Sequence, residues 1–182
     1  MADFYDEGAL RRAALDLFNG WGYHFYRREN QLRADDQLVR SKADWLLGNT
    51  RALIVAAESA YRRENFGTPT RAQPFPDPMV VANAQKLERL AADIGALKGR
   101  MQSQPTPEND RMTQRFRHEA DTLVALIASD ERLVGQCALL HATVDRRAAA
   151  WLLDHLDTLE EGLAAIGQTL REREAALLER RL

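Results

Sequence analysis

Leu152, Leu156, Leu159, Leu163, Ile166, Leu170 and Leu177 recur at alternating steps of four and three, and only Arg173 interrupts them. An α-helix turns once in about 3.6 residues, so such steps lay these side chains along one stripe. A stripe this long is the a/d seam of a coiled coil or a helical bundle. It predicts a helix over about 145–182. Arg173, standing at a seam position, is expected to tune register or orientation.

The remainder of the chain carries the same rhythm. A short first helix is predicted over 3–18, with Leu10, Ala14, Leu17 and Phe18 on its apolar face and Asn19-Gly20 as its stop. Trp21, Tyr23, Phe25 and Tyr26 read as a hydrophobic plug, with a partner patch as the sharper alternative. A second helix is predicted over 23–64, because Phe25, Leu32, Val39, Leu46, Leu53 and Ala60 keep a period of seven. Gly48-Asn49 is its expected weak point. The segment 52–57 is apolar nearly all round and should be the most buried part. Glu29 with Arg33, and Asp36 with Arg40, have the spacing of helical ion pairs.

Pro69, Pro74, Pro76 and Pro78 forbid a helix over 66–78. Phe66 and Phe75 are expected to pin that connector to the core. Asp77-Pro78 is a helix start, an acceptor at the N-cap followed by proline at N1. The third helix is predicted over 78–103, with Val80, Ala84, Leu87, Ala91, Ile94 and Met101 in the four-three rhythm and Lys98 the exception. A fourth runs from about Pro107, with Met112, Phe116, Leu123, Leu126, Ile127, Leu133, Cys137, Leu140 and Val144 inward; Ser129-Asp130-Glu131 is expected to cap a new helix or to lie exposed on a continuing one, and Thr143 to cap the fifth. The whole reads as all-α: one domain over 1–182, an elongated up-down four-helix bundle with a short N-terminal helix (1–20) as an appendage and a proline-rich connector (66–78).

Composition narrows function by exclusion. Net charge is −2, and acidic residues accompany most of the arginine doublets, so no clustered positive surface is expected for nucleic acid. The apolar run 148–153, as long as any in the chain, is far short of the ~20 residues that cross a bilayer. One cysteine, Cys137, allows no intrachain disulfide, and the acidic N-terminus has no apolar stretch of a secretory signal. The expected location is cytoplasmic.

No Walker loop, Gly-x-Gly-x-x-Gly, catalytic triad or Glu-x-x-His motif is present, so no catalytic residue, metal site or cofactor is assigned. Two surfaces remain. Leu170, Leu177, Leu178 and Leu182, with Trp21 and Tyr23, form the expected interface of a homo-oligomer or an unidentified protein partner. Arg33, Asp36, Arg40, His118 and Glu119 form the expected interior polar group, with Arg33 or Arg40 meeting Glu119. The favoured function is a non-enzymatic, self-associating scaffold. The alternative is a bundle that binds a small ligand or metal in its polar interior, with or without enzymatic activity.

Overall fold

A computed structural model describes residues 2–19, 32–71, 73–104 and 119–178, with side chains at 2–18, 37–71, 73–104 and 126–178. The fold is all-α. Its helices are α1 (Glu7–Asn19), α2 (Leu32–Asn65), α3 (Pro78–Ser103), α4 (Glu119–Val144), α5 (Ala149–Asp154) and α6 (Leu156–Leu178). The α3 limits are those predicted, and the reason is chemical. The Asp77 carboxylate accepts the Met79 amide at 2.7 Å, and Pro78 opens the helix with its missing N–H where no partner is needed.

The long helices close a four-membered ring: α2 packs on α3 and α4, and α6 packs on α4 and α3. Cross-links give the directions. Arg40 bonds Gln104, Lys98 pairs with Asp44, and Arg62 pairs with Glu88, so α2 and α3 are antiparallel. Arg132 with Glu172 and Gln136 with Thr169 make α4 and α6 antiparallel too. The predicted seams fill the core with Val39 and Leu46 from α2, Leu87, Ala91, Ile94 and Met101 from α3, Leu133, Cys137 and Leu140 from α4, and Leu159, Ile166 and Leu170 from α6; on α2, Ile54 is buried in place of the predicted Leu53, which is half-buried.

Four local expectations are corrected. First, α1 is no appendage. It lies so close across α4 that a Cβ on Gly135 would stand 2.7 Å from the Leu10 carbonyl carbon. Phe4, buried just ahead of α1, presses its ring on Gly162 of α6. Second, 52–57 is not the most buried part of α2: Ala52, Val55 and Ala56 are exposed, since α3 and α4 cover only the opposite side. Third, Phe75 is 80% exposed and pins nothing, while Phe66 lies beneath the Arg62 guanidinium.

The fourth correction is the turn after α4. Thr143 is no N-cap. Its hydroxyl bonds back to Leu139 O within α4, and the chain turns later, where Arg146 takes φ 57°. The fifth predicted helix is also divided at His155 into α5 and α6, and His155 Nδ1 is 2.9 Å from Trp151 O. Gly48, by contrast, leaves α2 continuous. The aromatic plug at 21–26 and the predicted start of the fourth helix at Pro107 lie outside the described residues.

The α1–α4 contact generates a test. Gly135→Ala should destabilise the protein by about 1–3 kcal/mol, because the methyl meets backbone that cannot rotate away. Gly99→Ala on α3 meets nothing within 4 Å. It should instead stabilise by up to about 1 kcal/mol, the helix propensity difference. Urea midpoints of the two variants should therefore move in opposite directions.

Candidate functional site

The seam interruption at Arg173 is where the helices are tied together. Arg173 is 1% exposed, and a buried guanidinium requires charge and hydrogen-bond partners. Its Nε donates to Asp130 Oδ1 on α4 at 2.7 Å, and its Nη1 donates to Gln104 Oε1 beyond α3 at 3.0 Å. Gln104 Nε2 donates onward to Leu170 O at 2.6 Å. Arg40 on α2 donates through Nη1 to Gln104 O at 2.7 Å, with Met101 O at 3.5 Å. A cation thus meets carbonyls at the C-terminal end of α3, where helix geometry leaves acceptors unsatisfied and the dipole is negative. This clasp joins α2, α3, α4 and α6 at one level.

A second buried layer lies farther along α6. Thr169 donates to Gln136 Oε1 at 2.9 Å, and Gln136 Nε2 donates to Phe4 O at 3.1 Å. The residues before α1 thereby satisfy polar groups that four helices alone would leave buried without partners. Arg132 adds ion pairs to Glu7 and Glu172 on the same flank.

On α2 the opposite side is uncovered. Trp45 is 53% exposed and Val55 42% exposed, with Ala52 and Ala56 beside them on the same face. The Lys42 ammonium lies 4.6 Å from a Trp45 ring centroid, and the His141 ring stacks on Trp45 at 6.2 Å. Burial lowers the Lys42 pKa. Trp45 is thus braced from beneath while its outer face is open.

The predicted interface is redistributed by these facts. Leu170 and Leu177 are buried within the chain, because α3, α4 and α6 complete one another's seams, so neither offers an exposed edge. Leu178 is 44% exposed. Leu182, Trp21 and Tyr23 lie outside the described residues. Of the predicted polar interior, Arg40 belongs to the clasp. The side chains of Arg33, Asp36, His118 and Glu119 are not among those described, nor are the Glu29–Arg33 and Asp36–Arg40 pairs.

Asp130 is the clasp residue that sequence reasoning placed wrongly, as a helix cap or an exposed polar. Its signal was present: Leu126, Asp130, Leu133, Cys137, Leu140 and Val144 run in unbroken steps of four and three. A carboxylate and a guanidinium interrupting two seams are natural partners. Gln104 carried no such mark. Among the described residues no group of three or more His, Cys, Asp or Glu could hold a metal. No helix of the described residues is long and apolar enough to cross a membrane.

Removing one member of the clasp should be worse than removing both. Arg173→Met takes the guanidinium away from the buried Asp130 carboxylate, an expected loss of about 3–5 kcal/mol. Adding Asp130→Leu should recover a large part of it, as urea denaturation of both variants would report.

Cys137 supplies an alkaline test. Burial pushes its thiol from an ordinary 9.0 up to about 12. The unfolded thiol ionises first, so this stabilisation is complete below about pH 9 and declines with rising pH by about 1.4 kcal/mol per unit, until the folded thiol ionises. Across that window the unfolding free energy of Cys137→Ala should fall less steeply than that of the wild type.

Searches of protein-family models, curated proteins and solved structures give no match to this chain.

Proposed function

We propose that this protein is a non-enzymatic helical scaffold that acts by self-association, and that the associating surface is the outer face of α2. The observation that carries the reading is the open row of Trp45, Ala52, Val55 and Ala56. An apolar row on an otherwise charged surface is a recognised mark of an interaction site. Its chemistry suits a helix–helix contact. Alanines allow close approach of a second helix at the usual 8–10 Å axial separation, and Trp45 supplies a braced aromatic anchor. Two copies meeting about a twofold axis would each bury the same row.

Homo-oligomerisation therefore stays the favoured reading, moved from the last helix to α2. The polar interior supports the ligand-binding alternative less well, because Arg173, Asp130, Gln104 and Arg40 already bond one another or backbone across helices. A reducing, cytoplasmic setting suits the single buried thiol.

Light scattering tests the proposal. Ala52→Glu with Val55→Glu changes residues that are exposed, so helix content by circular dichroism should be unchanged and stability should move little. Wild-type protein should have the mass of a dimer or larger assembly, and the double variant that of one chain. A monomeric wild type, or a variant of unchanged mass, would reject α2 self-association.

A further inference from the structure

Between α3 and α6 lies a groove of about 430 Å³ that the clasp does not use and to which the α6 seam contributes Leu163. Its floor is apolar and low: Leu97 and Leu163 flank Gly167, which carries no side chain to fill the space. The Leu97 Cδ2 atom lies 3.6 Å from where a Cβ on Gly167 would stand. Ala96 and Ala164 form shallow walls.

Charge is distributed unevenly along this groove. Arg100 and Arg171 stand at one end, Asp93 and Glu160 at the other. All four are exposed, and among the described residues none of their side chains makes an ion pair or hydrogen bond. Arg171 folds back over the floor, its Nη1 atom 3.8 Å from the Gly167 Cβ position. The helix rise places the opposite charges about 10 Å apart along α3 and about 16 Å apart along α6. That is two to three turns of helix.

We infer that the α3–α6 groove is a docking site for an amphipathic α-helix of another protein, bound antiparallel to α3 and α6. The occupant has an acidic first turn between Arg100 and Arg171, small or leucine side chains on the floor, and a basic last turn between Asp93 and Glu160. The orientation follows from ordinary helix electrostatics. Helices favour acidic residues in the first turn and basic residues in the last, and only the antiparallel arrangement brings both to opposite charge. The groove is a different surface from the α2 face, so this inference does not depend on self-association.

The test uses two hydrocarbon-stapled, fluorescein-labelled Ala/Leu peptides of about 12 residues, whose first and last turns lie as far apart as the charges of the groove, with the staple holding the short helix. One has two Glu in its first turn and two Arg in its last. The other has the same composition with the charges exchanged. Fluorescence anisotropy with the full chain should show saturable binding of the first peptide and at least about 10-fold weaker binding of the second. The protein carrying Asp93→Arg, Glu160→Arg, Arg100→Glu and Arg171→Glu should invert that preference. These residues are exposed, and circular dichroism and light scattering would check the fold and mass of the variant. Absence of saturable binding, equal binding of both peptides, or a preference that survives the charge exchange would overturn the inference. A changed oligomeric mass in the charge-exchanged protein would make a second copy the occupant and overturn it as well.

Discussion

A guanidinium buried at a seam position has to be surrounded by compensation, and the arrangement around Arg173 follows from that requirement. Taking the ion out of water carries a penalty of several kcal/mol, which a carboxylate at contact distance and further hydrogen bonds can offset. Asp130 supplies the charge and Gln104 the second acceptor. Gln104 can reach Arg173 only because α3 ends at Ser103 and the chain then takes extended backbone, with Gln104 at φ −63° and ψ 146°. Its own carbonyl then becomes the acceptor for Arg40. A slide of α6 against α4 by one turn would strand Arg173 opposite aliphatic side chains. The ion pair thus selects one register among several that apolar packing alone would tolerate.

The N-terminal residues complete this design. Four helices leave Gln136 and Thr169 inside the protein, and the Phe4 carbonyl closes their hydrogen-bond chain. Two glycines make the approach possible. Gly135 lets the α1 backbone lie on α4, and Gly162 accepts the Phe4 ring. Arg11 with Glu131 and Arg132 with Glu7 stitch the exposed margin of the same contact. Surface pairs of that kind are worth little singly. Their role is orientation, with the stabilisation supplied by the burial of Phe4, Leu10, Ala14 and Phe18.

Periodicity made much of the fold legible. It marks Leu87, Ala91 and Ile94 on α3, or Leu159, Ile166 and Leu170 on α6, because burial follows a stripe whenever neighbours lie on one side only. Cap chemistry marked the α3 start, since Asp77-Pro78 acts within one turn. What escaped depends on relations between helices. Asp130 stood in rhythm with Leu126 and Leu133, yet its polarity suggested an exterior position until Arg173 was brought opposite. The segment 52–57 carries apolar residues on every side, so its uncovered face could not be told from its covered one. Leu170 and Leu177 were misread as an interface because a seam announces that it will be buried without saying against what. Phe75 was misread because aromatics ordinarily go inside.

These failures share a direction that bears on function. Two residues expected to face a partner, Leu170 and Leu177, are inside the chain, and three from the stretch expected to be deepest, Ala52, Val55 and Ala56, contribute to the open apolar row. The described polar interior is engaged in holding helices to one another, and a cluster that fixes register has little freedom to rearrange around a ligand. The outside is less settled: Trp45 is supported from beneath by Lys42 and His141 but open above, and four charges around the α3–α6 groove face solvent without partners among the described residues. An interior whose described polar groups bond one another, beneath an incompletely matched exterior, is what supports the proposed scaffold role, in which the outer faces of the helices meet partners.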